Sequence, residues 1–446
     1  MTANPLALAV NGREYQLFER LVPFTEHNGH TGGSIAVVGL GYVGLPTAYA
    51  LAARGAAVIG FDISGARLGA IRAGDVDLPE AQRRGLADVL DTGQLRLSDD
   101  ASALAAADSV IVCVPTPVDA DHVPDLTALR AACETVAAQA RSGQTIILTS
   151  TTFVGTTRML LVDPLRRRGL RVGTDVHVAF SPERIDPGNL DHTQRDTPRV
   201  VGGVTRQCAE RAARVIRRST DSVYLVSSPE AAELTKLYEN IFRAVNLALA
   251  NEIADVCRDL DLDPIEVTIA AGTKPYGFLG SFPGPGVGGH CIPCDPHYLL
   301  WQLHGHQVKV PVIEQAMASI EHRPERVVDR VLEELAGAGL PPRGARVLVA
   351  GVSYKAGVRD LRESPALPIL AGLRRAGVNV DYHDPLIPEI RLDDGTELHS
   401  KPGGPDWDLV LMHTLHPGHD YTWAALCPLV LDATYQFDQA PHRQFV

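Results

Sequence analysis

Apolar residues along the chain fall into two patterns: short continuous runs, and longer stretches that repeat every three to four positions. Ile35-Ala36-Val37-Val38-Gly39, residues 57–61 and the runs at 109–114 and 144–149 are of the first kind, which is how strands buried on both faces read. Residues 43–54 carry the helical pattern between the first two. This alternation predicts a parallel sheet covered by helices, closed by strands near 176–180 and 222–226. Residues 1–32 show no sustained periodicity and are expected to form a weakly structured or disordered extension.

Ser228-Pro229 reads as a helix start, with a capping hydroxyl and a proline whose missing N–H costs nothing there. Leu234, Leu237, Ile241, Val245 and Leu249 then recur at helical spacing, so a long amphipathic helix is predicted toward Leu260. A helix of this length is hard to bury within one protomer, and it offers a dimer surface. Pro341-Pro342-Arg343-Gly344 marks a linker, after which the alternation restarts at 347–351, 364–376, 378–382, 409–412 and 429–431. The expected fold class is α/β, with two Rossmann-like domains joined by a long central helix. The expected domains are an extension at 1–32, a dinucleotide-binding domain at 33–227, a helical dimerisation domain at 228–335 and a second Rossmann-like domain at 341–440.

Composition narrows the function classes. The 446 residues exceed what one core usually serves. A net charge of −12 argues against a nucleic-acid partner. No apolar run approaches the roughly 18–20 residues needed to span a bilayer, so no membrane association and a cytoplasmic location are expected. Seven scattered cysteines do not form a disulfide framework. Cys291 and Cys294 have CxxC spacing, which fits a redox dithiol, half a zinc site, or one reactive thiol beside an incidental one. With no second CxxC in the chain, the last is preferred and no metal is expected.

Three motifs carry chemistry. Gly39-x-Gly41-x-x-Gly44 follows a strand and opens a helix, and Asp62 ends the next strand. Glycines there allow a tight turn, close approach of a pyrophosphate and helix–strand packing. Asp62 would accept ribose hydroxyls and repel a 2′-phosphate, which favours NAD over NADP. Cys291 lies in a glycine-dense stretch, Pro283 to Asp295, where a thiol near a dinucleotide could trap an aldehyde as a thiohemiacetal. Lys236 and Asn240 are one helical turn apart, so an ammonium for an oxyanion and an amide for a hydroxyl or water can share one cleft.

Together these residues resemble the UDP-glucose/GDP-mannose dehydrogenase family, the UDP-sugar 6-dehydrogenases. The resemblance spans about 34–435 and rests on residues 38–46, Val114-Pro115-Thr116-Pro117, Ser181-Pro182-Glu183-Arg184, Glu233-x-x-Lys236-x-x-x-Asn240, residues 288–296, Gly351 to Lys355, and Asp360-x-Arg362-x-Ser364-Pro365. It implies a cytoplasmic homodimeric enzyme of polysaccharide biosynthesis that oxidises a sugar C6 hydroxyl twice with NAD. By that resemblance Cys291 is the nucleophile, Lys236 stabilises oxyanions, Asp295 with Thr116 activates water, Glu183 assists acid–base steps, and Asn240 holds substrate or water. It further implies that Gly39, Gly41, Tyr42, Val43, Gly44, Asp62, Pro115, Thr116, Thr152 and Arg362 bind the cofactor. Glu183, Arg184, Lys236, Asn240, Lys274, Tyr276, Gly288 and Lys355 are implied to bind the nucleotide sugar, Lys274 by reaching across the dimer.

Residues 181–189 and 274–286 look most like the branch acting on UDP-N-acetylglucosamine, which is the expected substrate. UDP-N-acetylmannosamine, UDP-N-acetylgalactosamine and UDP-glucose are alternatives, and a two-electron alcohol dehydrogenase or a non-catalytic dinucleotide-binding protein are more distant ones. Three segments depart from the family pattern: Thr149 to Gly155, Glu321-His322-Arg323-Pro324, and Asp432-Ala433-Thr434-Tyr435.

Overall fold

The structure, a computed structural model, describes residues 8–10, 13–15, 21–23 and 33–446, apart from 77, 79, 120, 185–193 and 290. His290 and the 185–189 part of the substrate-branch motif therefore lie outside the described residues. The chain divides into two compact units, Met1–Leu237 and Tyr238–Val446. The boundary falls inside one 31-residue helix, Pro229–Asp259.

In the first unit, Ile35–Val38 (β4), Val58–Phe61 (β5), Leu95–Ser98 (β6), Ser109–Val112 (β7), Thr145–Leu148 (β8) and His177–Phe180 (β9) form a parallel sheet in the order β6-β5-β4-β7-β8-β9. Every residue of β4, β7, β8 and β9 is buried, as the uninterrupted apolar runs require. Arg199–Gly203 (β10), Ser222–Val226 (β11) and Leu21–Pro23 (β3) extend the sheet, and Leu8–Val10 (β1) pairs Arg13–Tyr15 (β2). Part of the stretch expected to be an unstructured extension is thus strand, with β3 paired antiparallel to β11. Three residues are too few to show periodicity, so the sequence pattern misses such a strand.

The second unit holds a parallel sheet of Asn379–His383 (β13), Arg346–Ala350 (β12), Leu409–Met412 (β16), Leu429–Asp432 (β17) and Gln444–Phe445 (β18), in that order. Glu389–Arg391 (β14) and Glu397–His399 (β15) form a separate hairpin. The α/β class with two Rossmann-like sheets and a long intervening helix is therefore present. That helix buries Leu237 and Ile241, but Leu234 and Leu249, read as part of the same amphipathic series, are 43% and 53% exposed. They belong instead to a second apolar stripe with Tyr238, Phe242, Ile253 and Val256, all exposed. The single-period reading merged two faces of one helix. No described helix is long and apolar enough to cross a membrane.

Candidate active site

In an open parallel sheet, ligands bind beyond the carboxyl ends of the strands, where the strand order reverses. In the first unit that point lies between β4 and β7. Gly39 to Gly44 follow β4, Asp62 follows β5, Pro115 and Thr116 follow β7, Thr152 follows β8 and Glu183 follows β9. Residues dispersed over 39–183 thus share one sheet edge.

Gly39 has a φ of +86°, and a Cβ on Gly44 would stand 1.8 Å from the Gly39 carbonyl oxygen. Neither position accommodates a side chain. A Cβ on Gly41 would meet nothing within 4 Å, so the protein's own packing does not require glycine there, whereas a ligand approaching the backbone would. Asp62 accepts the Leu40 N–H at 2.8 Å and the Ser64 N–H at 2.9 Å. A carboxylate has about four acceptor positions, which leaves capacity for ribose hydroxyls. This cradle fits a dinucleotide, with Tyr42 and Val43 in its turn. Arg67, which donates to the Leu40 carbonyl at 2.8 Å, ties the helix after Asp62 to the glycine turn and was not evident from the sequence.

Other expected residues have defined neighbours. Thr116 is 5% exposed. Thr152 is buried and its hydroxyl donates to Thr156. Glu183 is buried and paired with Arg199, itself 2% exposed, and it accepts from the Gln194 amide at 3.1 Å. Arg199 went unnoticed because an arginine in a strand gives no local signal of its partner. Arg184 donates to the Pro198 carbonyl at 2.7 Å. Glu233, at the start of the long helix, accepts from the Gly155 and Thr157 amides and the Thr157 hydroxyl. It secures the departing 149–155 segment. Lys236 is half-buried on the following turn.

In the second unit Cys291 is exposed and is the first residue of the helix Cys291–Gly305, where the unpaired amides and dipole favour negative charge. Asp295, 2% exposed, lies one turn further and accepts from the Asn240 amide at 2.5 Å. The structure therefore brings Asn240 and Asp295 together. Cys294 is buried, and burial pushes its thiol up to about 12. The two cysteines are unlike, which favours one reactive thiol over a redox pair. Among the described residues no group of three or more His, Cys, Asp or Glu could hold a metal ion.

A cleft of about 600 Å³ opens at the carboxyl ends of β12, β16 and β17. It is lined by Gly284 and Gly286 of the glycine-rich loop and by Lys355, Thr414, Thr434 and Gln436 of the loops that follow the strands. A Cβ on Gly288 would meet the Tyr354 Cβ at 2.6 Å, so glycine there permits close approach of the loop before Cys291 to the loop carrying Lys355. The Gly289 N–H donates to the Arg362 carbonyl. The Arg362 side chain is exposed and paired with Asp360 at 2.6 Å. Lys274 and Tyr276 are also exposed, the ammonium 5.0 Å from the ring centroid. Neither lines the cleft.

The glycine turn with its acceptor carboxylate after the adjacent strand places the protein among the dinucleotide-binding proteins. Three family models then match in succession: the UDP-glucose/GDP-mannose dehydrogenase NAD-binding domain over 33–220, its central domain over 230–321 and its UDP-binding domain over 348–440. The chain belongs to that family, and it is an NAD-dependent nucleotide-sugar dehydrogenase. It is 36% identical over 355 residues to a UDP-N-acetyl-D-mannosamine dehydrogenase of Pyrococcus horikoshii, covering 79% of this chain and 84% of the relative. It is 35% identical to the Escherichia coli (strain K12) enzyme of the same name, covering 75% and 81%. A solved UDP-D-ManNAc dehydrogenase structure from Pyrococcus horikoshii superposes with a TM-score of 0.83 at 31% identity, over 92% of this chain and 98% of that one.

These relatives correct the expected substrate branch. The resemblance had pointed to UDP-N-acetylglucosamine, whereas most of the similar curated proteins, and the solved structures at 28–31% identity, are named for the mannosamine sugar. The two sugars are C2 epimers, so the two branches differ by the orientation of one substituent, which a short sequence motif does not carry.

Proposed function

We propose that this protein oxidises the C6 hydroxyl of UDP-N-acetyl-D-mannosamine to the uronic acid, consuming two NAD+ and one water and releasing two NADH and three protons. The observation that carries this reading is the agreement among relatives at 33–36% identity that share this name. The exposed thiol of Cys291, one turn before the Asn240–Asp295 pair, supports it. NAD, held by the Gly39–Gly44 turn and Asp62, supplies the acceptor for each hydride.

The remaining chemistry falls to the chain's own residues. After the first oxidation the Cys291 sulfur adds to the aldehyde carbon, forming a thiohemiacetal whose oxygen takes up a proton. A second oxidation gives the thioester, and water attacks its carbonyl, expelling the thiolate and leaving the carboxylate. Lys236 stabilises the oxyanion of each tetrahedral state. Asp295, oriented by the Asn240 amide, takes the proton of the attacking water with Thr116 as a second hydrogen-bonding group. Glu183, fixed by Arg199, assists acid–base steps. Lys355 in the 600 Å³ cleft contacts the nucleotide.

The exposed stripe of Leu234, Tyr238, Phe242, Leu249, Ile253 and Val256 supports assembly as a homodimer, since so continuous an apolar face is rarely left to water. Lys274 and Tyr276, outside the cleft of their own unit, suit a contribution to the partner's site.

The test is turnover of a UDP-sugar panel comprising the N-acetylmannosamine, N-acetylglucosamine, N-acetylgalactosamine and glucose compounds. The mannosamine compound should give the highest kcat/KM and two NADH per sugar. A higher kcat/KM for another sugar, or one NADH per sugar, would overturn the reading. Cys291→Ala should form no uronate; undiminished acid product would reject the nucleophile.

A further inference from the structure

Two departures from the family pattern, at 321–324 and 432–435, meet in one buried network. Arg323, on the helix Pro311–Gly337, is 1% exposed. A guanidinium so deep must have each edge paired. Its Nη1 donates to Asp255 at 2.7 Å, its Nε to the Gly284 carbonyl at 3.1 Å, and its Nη2 to the Tyr435 hydroxyl at 3.1 Å. Asp255 is also held by Arg326 at 2.6 Å.

Both ends of this bridge are walls of the cleft. Gly284 lines it directly, and its N–H donates to the Asn251 side chain at 2.9 Å, so the residue is held at both its N–H and its carbonyl. Tyr435 is buried, yet its neighbours Thr434 and Gln436 line the same cleft. Its φ of +58° is unfavourable for an aromatic residue. The turn is kept there by the Asp432 carboxylate, which accepts the Tyr435 N–H at 3.1 Å, and by the phenol, which donates to the Val446 carbonyl while accepting from Arg323.

We propose that Arg323 and Tyr435 form a positioning strut that fixes the separation of the two cleft walls, and so sets the affinity for the uridine diphosphate part of the substrate. Neither side chain needs to touch the ligand. The guanidinium spans from the glycine loop to the 432–436 turn, and shortening or uncoupling it lets the walls move independently. The inference rests on the cleft being the nucleotide site proposed above.

The experiment uses the full-length protein, with UDP as the calorimetric probe and steady-state kinetics alongside. Tyr435→Phe keeps the ring and the Asp255–Arg323 pair and removes only the hydroxyl. Arg323→Lys keeps the charge but cannot span three partners. Each should raise the Kd for UDP and the KM for the nucleotide sugar about fivefold, as expected for one hydrogen bond. The kcat and the KM for NAD should stay within twofold, a split that general loss of structure would not produce. If wild-type protein binds UDP and both folded variants bind it equally well, the strut is refuted and the cleft assignment stands. If wild-type protein does not bind UDP, the cleft assignment fails and the inference falls with it.

Discussion

At the carboxyl edge of the first sheet the dinucleotide turn depends on missing side chains, whereas the corresponding edge of the second, which has a close-packed glycine of its own at Gly351, is also tied together by a buried polar network. Gly39 and Gly44 approach so closely that a Cβ on the latter would stand 1.8 Å from a carbonyl oxygen. In the second sheet, Asp384 after β13 accepts amides of Val352, Leu386 and Ile387 at 2.7–3.1 Å and pairs with His416 Nε2 at 3.1 Å. His416 in turn accepts the Gly357 N–H at 3.0 Å, two residues beyond Lys355. One edge is thus specified by contiguous backbone, the other by contacts between residues tens of positions apart. The two should fail differently when altered.

The largest effect belongs to the glycine turn. Gly44→Val should weaken NAD binding by about a hundredfold or more, because the added carbons force the turn apart, and it should lower the thermal midpoint. Gly41→Ala should also weaken NAD binding, but with the midpoint almost unchanged, since its Cβ meets only open space. NAD titration by fluorescence and thermal unfolding of both variants separate the two. Equal NAD affinity in Gly41→Ala and wild type would remove the ligand-based reason for that glycine.

This contrast also explains what could be read from the sequence. The dinucleotide turn, Asp62 and the strands around them are visible because spacing within some 25 residues carries them. Cys291, Lys236 and Asn240 stand out through local motifs. The Asn240–Asp295 hydrogen bond, Arg199 beside Glu183 and the Arg323–Tyr435 link join distant segments, and no periodicity reports such pairing. The substrate branch was misjudged for a related reason: the relatives are named for the C2 epimer of the expected sugar, and a local motif does not carry the orientation of one substituent.

Next in size is Asp384. Asp384→Ala leaves several buried amides and the His416 Nε2 without a partner, so a loss of about 2–3 kcal/mol is expected, measurable by urea unfolding at pH 7. An effect below about 1 kcal/mol would mean that the second edge does not depend on its polar network.

Acid should expose the same network in a graded way. Burial holds His413 down at about 4, against the favourable charge of Asp384. Unfolded chain takes up this proton near pH 6.5, so stability is complete above that value and declines as pH falls toward 4, by up to about 3 kcal/mol. For Asp384, burial acts upward but the His416 and backbone hydrogen bonds prevail and bring it to about 2. Its contribution is lost as pH falls from about 4 toward 2. His413→Gln should flatten the decline between pH 6.5 and 4 in a pH series of unfolding curves; an unchanged slope would assign that decline to other groups.

The smallest effect separates the two thiols of one helix. Cys294 is 4% exposed and its thiol, raised by burial to about 12, stays protonated at neutral pH, so it neither attacks an aldehyde nor joins a disulfide cycle. Cys294→Ala removes one buried sulfur and should cost about 1 kcal/mol of stability, with kcat and two NADH per sugar retained. Cys291, three residues earlier, is exposed and stands at the first helical residue, the position that suits the chemistry proposed for it. Uronate production by Cys294→Ala at the wild-type rate would therefore mark the CxxC spacing as incidental, whereas loss of turnover in a folded Cys294→Ala protein would show that the pair acts together.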